Sequence, residues 1–514
     1  MNRKLWLKRV IVLLIIILLT GCSPDENKIE EPLVFSMLYN QQESSPYDEN
    51  WLILKEYQDR KNVVFDVIIG DDADYEKDIQ RVLKSDSPPD VLLKIWPDNV
   101  TEYVNDGLLL PVSDYESLMP YYSAYIKAHD LQAEVDKLRL ENGKYYILPG
   151  YQRPIQVQQW IYRKDLFEKH DLGVPSTYDE LFDALVTLKA LYPDSDPISA
   201  CYGGAHLFAM MGAGYGIPAG WNGTQHYDSV SETWQYSPAT DNNKAMLDYL
   251  HRLYEAGLLD PDIFTQSEGD FYTKLLNDST FVTVTWITSG FDNWNQSLAE
   301  NGISGGAWAP LPVPESTIGL KALPAVNPFR KGLVLSSRVV NKPYFEDLIK
   351  FLDWAVYSEE GMTLTTWGVE GITYEETEDG KKFSEDIYSP KNPEGTKDIT
   401  AAYGLDSFFD LNENEEFEDY KKPDDIVIFL ERSLSNGETA KMKPELKLDV
   451  VDMDAIAVVE ERLQPYVDSS SKSFITGSLS VDEDWDMYIE ELKKLGYQTI
   501  EEIWHEAWTE IEKK

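Results

Sequence analysis

Three short apolar runs, separated by stretches with helical spacing, constrain this chain more than any other feature. They are LVFSML at 33–38, VVFDVII at 63–69 and VLLKI at 91–95. Helix-like spacing lies between the first two, around 51–57, and again at 75–83 before the third. Apolar runs that alternate with helices of this length build βαβ units, and such units build a mainly parallel sheet covered by helices. The expected class is therefore α/β.

The N-terminus points to export. Arg3, Lys4, Lys8 and Arg9 precede an unbroken apolar run from Val10 to Leu19. That run is far shorter than the roughly 20 residues a spanning helix needs. It suits the apolar centre of a signal peptide at 1–21. Leu19-Thr20-Gly21-Cys22 resembles a bacterial lipobox. The motif implies cleavage before Cys22, acylation of that cysteine (palmitate included) and attachment to the extracellular face of the cell membrane. Residues 23–32, charged and bearing proline, read with Cys22 as a lipidated tether.

Without the leader the chain keeps 493 of its 514 residues, too many for one ordinary core and enough for two large lobes. Its formal charge of −44 becomes −48, because the leader carries four cations and no acid. Such a field repels phosphate backbones, which argues against a nucleic-acid partner, and it also serves solubility. Cys201 alone remains beside Cys22, so no disulfide framework supports the fold and the apolar 43% of the residues must do so. There are 14 Trp and 31 Tyr. Flat aromatic faces beside carboxylates and amides are one way proteins grip sugar rings.

Further along, Thr177-x-x-Glu180 has the spacing of a capping box, with Leu181, Leu185 and Leu188 on one face of the helix it opens. A second helix is expected from about 242 to 256, ended by Gly257, and a third from Pro343. From Asp454 onward the chain reads as helical except at 468–480. The glycine-rich stretch 212–220 reads as irregular. The acidic, turn-rich segment 375–425 reads as a surface insertion.

Two longer segments carry a family resemblance. KYYILPGYQRPIQVQQWIYRKDLFEKHDLGVPSTYDEL at 144–181 resembles the extracellular solute-binding proteins of sugar ABC transporters. KSFITGSLSVDEDWDMYIEELKKLG at 472–496 and WGVEGITYE at 367–375 resemble the large lipoprotein subfamily of Gram-positive bacteria. The resemblance implies a periplasmic-binding-protein-like (type II) fold, with two α/β lobes, a hinge and a ligand cleft between the lobes. It implies lobe 1 at 33–152, lobe 2 at 153–328, a return to lobe 1 at 329–425 and C-terminal helices of lobe 2 at 426–514. The chain should cross the hinge near 150–156 and 327–332. The implied function is a monomeric receptor that captures a carbohydrate, by preference an oligosaccharide, and delivers it to the permease subunits of an ABC importer. No catalysis and no cofactor are implied. A sensory sugar receptor for a membrane kinase, a surface glycoside hydrolase and a receptor for a non-sugar ligand remain alternatives.

Motifs for chemistry are weak. Gly302-x-Ser304-x-Gly306 matches the serine-hydrolase pattern, but an elbow needs a strand before the serine and a helix after it. Here a polar, helix-like DNWNQSLAEN precedes and a proline-rich AWAPLPVP follows. The histidines at 129, 170, 206, 226, 251 and 505 show no metal-ligand spacing. Some relatives carry a calcium loop after the helix matching 177–191, whereas YPDSDP at 192–197 lacks the required spacing and glycine. Asp410, Asn412 and Asn414 match the first ligands of such a loop, yet Glu415 and Lys421 occupy the places of its glycine and bidentate glutamate.

The candidate ligand contacts are aromatic and polar residues at breaks between elements. Trp286 ends FVTVTW, Trp221 follows the glycine-rich stretch and Trp96 follows the third run. Trp367 lies near Glu370 and Tyr374, Trp160 and Arg163 lie by the first crossing, and Tyr39 closes the first run. Core packing competes with ligand binding at each, and for Arg163 a structural role is favoured.

Overall fold

The computed structural model describes residues 31–512 apart from 43, 72, 73, 289, 290, 304 and 447. Cys22, the leader and most of the tether lie outside the described residues, as does Ser304. Along the chain β1 (Leu33–Gln41), β2 (Val63–Asp71) and β3 (Val91–Ile95) grow from the three apolar runs, linked by helices Leu52–Lys61 and Tyr75–Leu83. β4 (Ile147–Tyr151), β5 (Gln158–Arg163), β6 (Gln225–Asp228), β7 (Thr233–Tyr236), β8 (Val282–Trp286), β9 (Trp308–Pro310), β10 (Phe329–Leu335), β11 (Tyr374–Thr377) and β12 (Gly380–Phe383) follow.

Two sheets organise the molecule. The first has the order β2-β1-β3-β10-β4 and the second β8-β5-β9. β1 pairs in parallel with β2 and β3, as the βαβ pattern requires, but β10 runs antiparallel to both β3 and β4. The second sheet is antiparallel throughout. The expectation of a mainly parallel sheet therefore holds for β1–β3 alone.

Each sheet is covered on both faces, and strand alternation decides which cluster a side chain joins. Met37 and Tyr39 face a core with Tyr57, Leu148, Phe351 and Phe409, while Leu38 between them faces one with Ile79, Leu92 and Val334. In the second sheet Trp160, Tyr162, Val282 and Val284 pack with Leu185, Leu250, Leu463 and Trp504, while Ile161 joins Phe271, Trp308 and Ile426. The result is a two-lobed α/β protein.

Residues 152–157 and 324–328 run side by side between the sheets. The Gln152 N–H donates to the Pro328 carbonyl at 2.9 Å and its Nε2 to the Asn327 carbonyl at 2.7 Å. Gln156 Nε2 reaches the Pro324 carbonyl at 3.3 Å.

Local rules explain several helices. Thr177 caps Tyr178–Leu191 by accepting from the Glu180 N–H, but Glu180 Oε2 turns to the Ser176 N–H and hydroxyl at 2.7 Å. Asp241–Glu255 is followed by Gly257 at φ +66°, the left-handed stop expected there. Pro343 precedes the helix Phe345–Tyr357 rather than opening it. Three sequence readings need correction. Gly212 and Gly214 lie inside the helix Ala205–Gly214, where Gly212 has no room for a Cβ against the Ile217 carbonyl and Ala219. The C-terminal region is helical across Val450–Ile475, so its break falls later than 468. Segment 375–425 is no mere surface elaboration, because Ile387, Ile399, Leu405, Phe408, Phe409, Leu411 and Phe417 are core residues set among its acids.

Candidate ligand-binding site

One row of side chains along β5 and β8 leads from a core to solvent. The cross-strand pairs Tyr162–Val282 and Trp160–Val284 are followed by Gln158–Trp286. The first two pairs are buried, whereas Trp286, at the carboxyl end of β8, is 49% exposed. That end of the sheet, where β8 stops and β5 begins, adjoins the segment 152–157.

Two backbone devices bring further rings to Trp286. Gly203 and Gly204 adopt φ +63° and +81° just before the helix Ala205–Gly214, so the chain turns sharply between Tyr202 and His206. The short turn Gly220–Asn222 lies against that helix's first turn, where a Cβ on Gly220 would collide with the Ala205 carbonyl. Trp221, 50% exposed, is thereby set over His206 with ring centroids 3.7 Å apart. His206 meets Trp286 edge-on at 4.5 Å, Tyr202 stands 5.8 Å from Trp221, and Trp221 stands 6.3 Å from Trp286. Three half-exposed rings around a buried imidazole form an apolar platform with a polar floor.

The platform's electrostatics are set by burial and one acid. Burial lowers the His206 pKa to about 4, so the ring is neutral near pH 7. The Tyr202 hydroxyl donates to Glu268 Oε1 at 2.9 Å, and that bond with partial burial raises its pKa to about 12.

The first sheet presents a fourth exposed aromatic. Trp96, 46% exposed, comes directly after β3, and the Lys331 ammonium of β10 stands 5.1 Å from its ring centroid.

The other sequence candidates lie elsewhere. Tyr39 is stacked on Phe408 at 4.5 Å within a core, and burial raises its pKa. Trp160 packs on Tyr178 at 6.0 Å. Arg163 is fully buried and ion-paired with Asp165 at 2.8 Å and Asp278 at 2.6 Å. Trp367 is enclosed by Tyr374, Phe383, Phe417 and Tyr420. Tyr374 is thus a wall of that cage, and Glu370 lies exposed beside it, lining a surface recess with Arg60 and Lys381. Packing accounts for Tyr39, Trp160, Trp367 and Tyr374, and ion pairing for Arg163. The structure brings Trp221 and Trp286 together and adds Tyr202, His206 and Gln158, which the sequence reading did not select. The Y-G-G-A-H run was the available signal, since paired glycines between two ring-bearing residues mark a sharp turn.

Other features lie apart from the platform. A recess of about 930 Å³ lies under the β6–β7 hairpin, lined by His226, Tyr236, Glu501 and His505, away from the exposed tryptophans. Residues 292–300 form a helix and 308–310 a strand, the reverse of a nucleophile elbow around 304. Asn412 Oδ1 accepts the Tyr151 N–H and its Nδ2 donates to the Val356 carbonyl, while Asn414 caps Glu415–Tyr420. Those oxygens serve the fold. Among the described residues no cluster of three or more His, Cys, Asp or Glu is arranged to hold a metal ion.

The fold is that of the two-lobed solute-binding proteins. The chain matches the family of bacterial extracellular solute-binding proteins over residues 53–333 and belongs to it. It is 24% identical over 457 residues to the fructooligosaccharide ABC transporter substrate-binding protein FusA of Streptococcus pneumoniae, covering 82% of this chain and 78% of that one. Among solved structures, the alginate-binding protein AlgQ2 without calcium ion aligns with a TM-score of 0.72 at 19% identity, over 93% of this chain and 98% of the other. FusA in complex with kestose aligns with a TM-score of 0.70 at 20% identity, over 93% and 99%.

Proposed function

We propose that this protein is a lipid-anchored receptor that captures an oligosaccharide outside the cell and hands it to the permease subunits of an ABC importer. The observation that carries the reading is the Trp221–Trp286–Tyr202 platform at the carboxyl end of β8. Sugar CH faces stack on such rings, and each stacked ring contributes roughly 0.5–1.5 kcal/mol beyond burial of area. A relative named as binding fructooligosaccharide supports a carbohydrate ligand.

The reading divides the chain at the paired segments 152–157 and 324–328. Lobe 1 comprises 33–152 and 329–425, and lobe 2 comprises 153–328 and 426–514. Trp96 with Lys331 is the contribution of lobe 1 to the cleft, and closure about the hinge brings it onto a sugar held by lobe 2. Cys22 carries the lipid, the receptor acts as a monomer, and it binds its ligand without turnover. Among the described residues no helix is long and apolar enough to cross a membrane.

The test is a thermal-shift screen of residues 24–514 against mono- and oligosaccharides, with the sugars analysed afterwards. A ligand that binds only the folded state adds about 2.7 kcal/mol at a hundredfold excess over Kd. A shift with one class of intact glycan is the expected result. No shift across a broad panel, or release of cleaved products, overturns the reading.

A further inference from the structure

Two buried polar atoms beside the platform lack partners. His206 Nε2 is sealed from solvent with no hydrogen bond, and so is Gln158 Nε2. Both residues are more than nine-tenths buried. Unpartnered buried polar groups are rare and costly, and two flanking one indole call for a cause. Gln158 is the direct cross-strand partner of Trp286, and His206 stands edge-on to the same ring at 4.5 Å. The row that leaves the core thus ends in an indole with an unsatisfied nitrogen on either neighbour.

Resting on the receptor reading above, we propose that His206 Nε2 and Gln158 Nε2 select the hydroxyls of the bound sugar, and that this sugar is a neutral glycan. An amide nitrogen only donates, while a neutral imidazole nitrogen donates or accepts according to its tautomer. A hydroxyl can answer both. Trp221 is the cover over His206. Its backbone is fixed at Gly220 by the Ala205 carbonyl, but its ring is half exposed, and exposed side chains change rotamer readily. The indole moves off the imidazole as a sugar ring enters, and the hydroxyl takes the uncovered nitrogen.

The charge around the platform favours a neutral ligand. Glu268 is the charged group bonded to it, through Tyr202, and an incoming uronate carboxylate meets that anion. His206 stays neutral near pH 7 and offers no compensating charge. The chain's net charge of −44 repels acidic glycans at longer range. The Lys331 ammonium of the other sheet is engaged over the Trp96 ring.

The experiment is titration calorimetry of the mature chain with neutral hexose oligosaccharides and with oligouronates. Wild type is compared with His206→Phe, which keeps a ring against both indoles, and with Gln158→Met. Thermal melting verifies that each variant is folded. Each variant is expected to lose roughly threefold to tenfold in affinity for a neutral glycan, the range for one neutral hydrogen bond. Within a set of monodeoxy ligands, one that binds wild type weakly should bind His206→Phe no worse than its parent glycan does. A purely structural role for His206 does not produce that match. Unchanged affinity in both variants overturns the assignment of these atoms while leaving the receptor reading intact. Preference for oligouronates overturns the neutral class alone. Absence of binding by any glycan to wild type overturns the receptor reading and this inference together.

Discussion

Arg153 Nε lies 2.6 Å from Glu413 Oε1, and the same guanidinium meets Asp419 Oδ1 at 2.7 Å. Glu413 Oε2 also accepts the Arg153 N–H at 2.7 Å, and the Glu413 N–H returns to the Tyr151 carbonyl. The point where the chain leaves β4 is therefore locked to a segment some 260 residues later. The guanidinium is mostly buried, and its two carboxylates hold its pKa above the usual value despite the cost of that burial.

Arg153→Ala leaves two carboxylates facing each other without their cation. Breaking one side of a buried ion pair costs about 3–5 kcal/mol. Asp419 is less buried than Glu413, so the expected loss sits near the lower figure. Arg153→Lys should recover part of it, because a single ammonium cannot satisfy both acids in a fork. Denaturant unfolding of the three proteins tests the order: wild type, then Lys, then Ala. Equal stability of wild type and Ala contradicts it.

Trp221→Ala and Trp286→Ala are expected to weaken glycan binding by roughly fivefold to thirtyfold each, with little effect on stability, because both rings are half exposed. Trp160→Ala, in the same sheet but fully buried, should behave in the opposite way. It removes core volume and costs about 3–5 kcal/mol of stability. Calorimetry and melting on the three variants separate platform from core. A Trp286 variant that binds normally removes the platform from the site.

The sequence revealed part of this arrangement and hid part for physical reasons. β1–β3 were legible because their apolar runs are continuous and their linkers helical. Trp96, Trp221 and Trp286 were legible as aromatics at the ends of elements. The same reasoning chose Tyr39, whose ring instead meets Phe408, a contact across more than 360 residues that no local pattern carries. Trp367 and Trp160 failed as guides likewise, since position beside a break does not say which face a ring takes. The cores beneath segment 375–425 were hidden because Phe408, Phe409 and Phe417 are diluted by acids in any local average. Gln158 and His206 were beyond reach, because the lack of a hydrogen-bond partner exists only in three dimensions.

Acid should destabilise the fold through His206. Its folded pKa of about 4 lies below the ordinary 6.5, so between these values the unfolded chain binds more protons. The contribution of the neutral ring is complete above pH 6.5 and is lost as pH falls toward 4. It amounts to about 3 kcal/mol at most, from the separation of the two pKa values. Unfolding free energies of wild type and His206→Phe at pH 7 and pH 4.5 isolate the effect, since other groups cancel in the difference. The variant should lose less on acidification, and parallel losses in both proteins contradict the assignment.

Asp410 is expected to act with the opposite sign. Burial, followed by the neighbouring Asp406, raises its pKa to about 8 against the attraction of Arg330 and Lys421. Lys421 is already engaged, with Asp406 at 2.8 Å and Glu418 at 3.0 Å, so Asp410 is the surplus acid of the group. A raised carboxyl pKa means the folded state binds the extra proton. The stability it brings is complete below pH 3.8 and is lost as pH rises through 8. Asp410→Asn keeps the shape and removes the charge. It should therefore gain on wild type with rising pH, on the order of 2 kcal/mol by pH 9 after allowing for partial solvent access. Urea unfolding of both proteins at pH 5, 7 and 9 measures the gain. A constant difference across that range would show that Asp410 is ionised throughout and that Arg330 and Lys421 outweigh its burial.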